Sequence, residues 1–108
     1  MKKINLDEKI KFELEGKALE LSAKEQILGV LSRPMGQGTT YDEMATIIPL
    51  INHIRSSSGY LYLEKAEHSI LVKYLKSTKW AANEPAIFEW LRSIVEAPDI
   101  LVQEKTNG

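Results

Sequence analysis

"KIKFELEGKALELS", residues 9–22, sets apolar Ile10, Phe12 and Leu14 between charged neighbours, breaks at Glu15-Gly16-Lys17, and resumes the alternation with Leu19 and Leu21. Period-two alternation on both sides of a glycine is the pattern of a β-hairpin with one face packed and the other solvated. Gly16 is therefore expected in the reversal, in a backbone conformation that favours glycine. Immediately afterwards Ser22 precedes Glu25 by three residues, the spacing of a reciprocal helix cap. Ile27, Leu28, Val30 and Leu31 then supply an apolar helical face. The spacing predicts a helix over about Ala23 to Arg33, stopped by Pro34 and followed by a loop around Gly36 and Gly38.

That loop opens "RPMGQGTTYDEM", residues 33–44, which poses the choice between a phosphate cradle and a simple helix start. A Walker-type loop needs a preceding strand, four residues between its glycines and a Lys-Ser/Thr pair. Here a helix precedes, one residue separates Gly36 from Gly38, and no Lys follows. Thr40 and Glu43 instead repeat the capping-box spacing, so Thr40 is read as a cap. Met44, Ile47, Ile48, Ile51 and Ile54 fall on one face of the helix that follows, and Pro49 on its polar side should bend or divide it. "SSSGYLYLEKAEHSILVKYLKSTKW" then reads as a loop, a strand at Tyr60 to Leu63 and a helix from about Lys65 to Thr78. It repeats the order of "ALELSAKEQILGVL", a strand, a polar step and an apolar helix, so a strand–helix unit occurs twice. The second of these helices is apolar around most of its girth, leaving Ser69, Lys73 and Lys76 as a narrow polar stripe, the pattern of a helix covered on two sides. A last helix is expected to be capped by Asn83, to carry Pro85 in its first turn, and to pack through Ile87, Phe88, Leu91, Ile94 and Val95. Pro98 closes it, and residues 103–108 read as a frayed polar tail.

With 108 residues, 44% of them hydrophobic, the chain has the size of one domain, 1–108, with its own core. It contains no Cys, which excludes disulfides, zinc–thiolate sites and thiol chemistry. No apolar run approaches the ~20 residues needed to span a bilayer, and "MKKINLDEKIK" lacks the apolar stretch of a signal peptide, so a cytoplasmic, non-membrane protein is expected. The formal net charge of -1 provides no broad basic field for nucleic acid.

Few residues are candidates for chemistry. His53 lies opposite the apolar stripe of its helix, near Asp42 and Thr46, where a solvated side chain is expected. His68 lies between Leu75 and Val72 with Glu64 one turn before it, which is two potential ligands and not a metal site; it is read as packing or as part of a subunit contact. The Ser-rich loop offers no nucleophile elbow, and the 15 carboxylates fall largely on solvated positions, so no catalytic set and no cofactor are assigned. Lys73, Lys76 and Lys79 recur every three residues and end beside Trp80, a candidate edge for a phosphate backbone and a stacked base. Trp90 sits about 100° from the centre of its helix's apolar stripe and is read as either a core edge or a contact anchor.

"MKKINLDEKIKFELEGKAL", then "ILGVL", then "YLYLEKAEHSILVKYLKS" and a closing helix resemble small phage and prophage proteins. Those proteins open with M-K-x-I-N-L, a run ending in a G-K pair and a leucine-rich helix. The chain departs from them by having almost nothing between Leu19 and Ser22, where they often carry a longer polar insert. The resemblance transfers no active residue; it implies a phage or prophage origin and action inside a bacterial host.

The expected fold is α+β: a small antiparallel sheet, made of the N-terminal hairpin and the Tyr60 to Leu63 strand, packed with about four helices largely on one side. The expected function is non-enzymatic, an accessory or regulatory protein binding a host or phage protein or itself. A homodimer using Trp90, His68 and Val72 is the favoured form, because the apolar girth of the central helix and the flanking Trp90 need cover. The alternative is a small nucleic-acid-binding regulator using Lys73, Lys76, Lys79 and Trp80.

Overall fold

A hairpin turn of two residues joins β2 (Lys9–Leu14) to β3 (Lys17–Ser22), with Leu14 opposite Lys17 and Ile10 opposite Leu21. Both turn residues have positive φ, 52° at Glu15 and 79° at Gly16, which is the hairpin reversal whose twist matches that of its strands. Gly16 occupies the position expected of it. Ile10, Phe12 and Leu14 share a face with Leu21, Leu19 and Lys17, while Lys11 pairs with Glu20 at 3.7 Å across the opposite face. The apolar face is buried only at its base, at Ile10; Leu14 and Leu19 near the turn are exposed.

The computed structural model describes residues 1–33, 38–80 and 83–100. Its other elements are β1 (Lys2–Asn5), α1 (Ala23–Ser32), α2 (Tyr41–Arg55), β4 (Tyr60–Leu63), α3 (Lys65–Ser77) and α4 (Pro85–Val95). The fold is α+β, with four helices and two small antiparallel sheets among the described residues. The sheet arrangement differs from the sequence expectation, because β4 does not join the hairpin. It pairs with β1, Ile4 opposite Leu61 and Lys2 opposite Leu63. On its other side β1 meets the chain after α4, where Lys3 N donates to Pro98 O at 3.3 Å and Ile100 N to Met1 O at 2.7 Å. The physical reason is inward burial: Ile4, Leu61 and Leu63 all enter the core, and β1 supplies the backbone partners that a buried β4 requires. Helices pack on both ribbons, α1 and α4 against the hairpin and α3 against the β1–β4 pair.

The helix starts follow their caps. Ser22 Oγ accepts from Glu25 N, and Thr40 and Glu43 form a reciprocal box, Thr40 N to Glu43 Oε1 at 2.8 Å and Glu43 N to Thr40 Oγ1 at 3.2 Å. Glu64 N donates to Glu67 Oε1 at 3.0 Å at the head of α3. The strand–helix pairs β3–α1 and β4–α3 stand where the repeated pattern put them. α2 runs unbroken through Pro49, which is exposed. Its buried face is Ile47, Leu50, Ile51 and Ile54, an i, i+3, i+4, i+7 set; Met44 and Ile48, expected on that face, lie to its side and are exposed. α3 contacts α1 on one side and α4 on the other, burying His68, Leu71, Tyr74 and Leu75. The middle of the 33–44 stretch, with Pro34 and Gly36, and the 103–108 tail lie outside the described residues.

Candidate interaction surface

α4 begins at Pro85, a residue whose fixed φ and missing N–H suit a first helical position. Glu84, and not Asn83, is the cap: its Oε2 accepts from Ala86 N at 2.8 Å. A cap at Glu84 leaves Pro85 at the first position, where no amide is needed, whereas a cap at Asn83 would place it one position later. From this start α4 carries two apolar stripes. Ile87, Trp90 and Ile94 are buried, and one residue further round come Phe88, Leu91 and Val95 at the same i, i+3, i+7 spacing. Phe88 is 61% exposed, and Leu91 and Val95 are half-buried. With Leu75 and Lys76 of α3, and Arg92 and Glu96 of α4, this outer stripe lines an open groove of about 290 Å³. Its charge is mixed: Lys76 and Arg92 stand with Glu96, and Arg92 also reaches Glu89 at 2.9 Å.

The structure inverts two expectations here. Trp90, read as a contact anchor, is 3% exposed and belongs to the core, with the Trp80 ring edge-on to it at 6.1 Å and 89°. Phe88, read as core, is the exposed one. His68 is also buried, its Nε2 donating to Ile94 O at 2.7 Å, and it ties α3 to α4 from inside. Neither Trp90 nor His68 is therefore on a surface that a partner could reach, and Val72 is half-buried. The reason lies in the wheel: the stripe read from sequence was centred on Leu91, whereas the buried face of α4 is centred between Ile87, Trp90 and Ile94, the side on which His68 bonds to Ile94 O. Of the possible nucleic-acid edge, Lys73, Lys76 and Lys79 are exposed, but Trp80 is half-buried against Trp90. His53 is not simply solvated: its Nδ1 lies 3.1 Å from Glu67 Oε2, joining α2 to the head of α3.

No family model, no curated protein and no solved structure matches the chain. Among the described residues no three of His, Asp and Glu gather as a metal-binding group, and no helix is long and apolar enough to cross a membrane.

Residues that the sequence reading missed are Phe88 and Leu75, the wall and the floor of the groove. Their signal was present in the sequence: Phe88, Leu91 and Val95 keep helical spacing among themselves, so α4 has two complete stripes and only one of them can face the core.

Proposed function

We propose that the protein is a non-enzymatic phage or prophage accessory or regulatory protein of the bacterial host cytoplasm, acting through protein–protein contact, and that it pairs with a second copy of itself through the α3–α4 groove. The observation that carries this reading is Phe88, a large apolar side chain left exposed beside an apolar groove on its own helix. A two-fold axis near Leu91, with the two α4 helices antiparallel, sets Phe88 of each copy over Val95 and Leu75 of the other. The same operation turns Arg92 of each copy toward Glu96 of the other, so the mixed charge of the groove's rim becomes complementary. Phe88 is 61% exposed, so covering the remainder contributes about 1–2 kcal/mol per copy, and the symmetry doubles it. Both histidines, the side chains best suited to proton transfer near neutral pH, hold helices together, which supports a binding role over a catalytic one. The phage origin rests on the sequence resemblance.

Sedimentation equilibrium on the wild type and on Phe88→Ala tests the contact. A dimer at micromolar concentration that Phe88→Ala turns into a folded monomer is the expected result. A wild-type monomer at high micromolar concentration, or a dimer indifferent to the substitution, overturns it. The nucleic-acid reading keeps its exposed lysines and predicts retention on DNA or RNA that weakens steeply with salt.

A further inference from the structure

A second groove, of about 250 Å³, lies where the last turn of α1 meets α2. Leu31, Ile48 and Ile51 form much of its apolar lining, and Ile48 is 47% exposed. Among the described residues its charged members are Arg33 and Arg55, and no carboxylate is in its lining. Neither guanidinium is in an ion pair among the described residues. The neighbouring acid, Glu43, has Oε1 engaged by Thr40 N. Two guanidiniums against the neighbouring Glu43 carboxylate leave the groove a positive excess beside its apolar lining, which suits a ligand that is anionic at one end and apolar along the rest, and the planar fork of Arg matches a carboxylate.

We infer that this groove binds an acyl carboxylate, a slender unbranched chain whose head is held by Arg33 and Arg55 and whose tail lies on Leu31, Ile48 and Ile51. The size agrees with a small ligand: a volume of about 250 Å³ falls just under the ~300–1,000 Å³ of pockets that enclose drug-sized molecules, and leaves room for one short chain. Tyr74 also lines the groove, and burial, with the Glu43 carboxylate adding to it, raises its phenol above the ordinary range, so the hydroxyl keeps its proton and can donate to an anion. This site is separate from the Phe88 contact and does not depend on it.

The test is an NMR titration of the full chain with octanoate and, in parallel, with octanol, on the wild type, on the Arg33→Gln/Arg55→Gln double variant, and on Phe88→Ala. Octanoate is expected to give saturable shifts at Leu31, Ile48 and Ile51 in the wild type and in Phe88→Ala. Octanol, lacking the charge, and the double variant are each expected to bind roughly tenfold more weakly or worse. Both arginines are exposed, and circular dichroism checks that the double variant stays folded. Absence of saturable shifts, equal binding of octanol, full binding by the double variant, or shifts confined to the Phe88 stripe would each overturn the proposal. So would concentration-dependent shifts in this groove without any ligand, which would mean that a second copy covers it.

Discussion

The two stripes of α4 are nearly the same in composition and opposite in fate. Ile87, Trp90 and Ile94 are buried, while Phe88, Leu91 and Val95 stand about 100° round the same helix with Phe88 largely in solvent. Hydrophobicity alone cannot tell them apart, since each stripe contains one large aromatic and two aliphatics. What separates them is tertiary: His68 grips Ile94 O, and Trp80 sets its edge against the Trp90 ring, so the polar and aromatic contacts from outside α4 all fall on the inner stripe. The lesson is that a helix with two apolar stripes can bury only one of them fully in its own core, and that the choice depends on its neighbours.

The largest expected effect is on the inner stripe. Trp90→Ala should lower unfolding free energy by about 3–5 kcal/mol, read from urea denaturation, because it empties a buried site that Trp80 packs against. Trp90→Phe should cost far less than the truncation. It keeps an aromatic ring at the site and removes the indole Nε1, which is buried without a hydrogen-bond partner among the described residues. A cost below about 1 kcal/mol for Trp90→Ala would place that residue outside the core and dissolve the contrast. Phe88→Ala, by comparison, should shift the stability of the monomer by no more than about 0.5 kcal/mol while abolishing self-association.

His68→Phe comes next. It preserves much of the packing volume but leaves the buried Ile94 carbonyl without its donor, which should cost about 1–3 kcal/mol. If His68 sets the rotation of α4, this variant should also weaken self-association, because the outer stripe is carried by the same helix. A variant that loses stability yet dimerises unchanged would mean that packing alone orients α4.

Local signals in the sequence were legible wherever a feature depends on residues close together in the chain. The Gly16 turn, the Thr40–Glu43 box, the bounds of α1 and α3 and the β4 strand each rest on contacts spanning a few residues, and each stands where the spacing put it. β1 was not legible, because a four-residue strand reading Lys-Lys-Ile-Asn shows one apolar residue and no alternation to detect. Its partner β4 lies more than fifty residues away, so the choice between pairing with β1 and extending the hairpin depends on which surface is buried. The candidate site failed for the same reason: Trp90 and His68 turn inward through a contact between two helices that no spacing within either one encodes.

The smallest effect concerns where α4 starts, since the start sets the phase of both stripes. Glu84 Oε2 accepts from Ala86 N at 2.8 Å, and Phe88 N donates to Glu84 O at 3.0 Å, so the first helical hydrogen bond already fixes Phe88 one turn above the cap. A glutamate is a less usual cap than asparagine, but its negative charge also faces the positive end of the helix dipole. Glu84→Ala should therefore cost about 1 kcal/mol, with Asn83→Ala within a few tenths of neutral, both read from thermal or urea unfolding. The opposite ranking would return the cap to Asn83 and move Pro85 to the second helical position. The direction with salt discriminates further: the electrostatic part of the Glu84 contribution is screened as ionic strength rises, while the hydrogen bond to Ala86 N is not, so the gap between the two variants should narrow in high salt without closing.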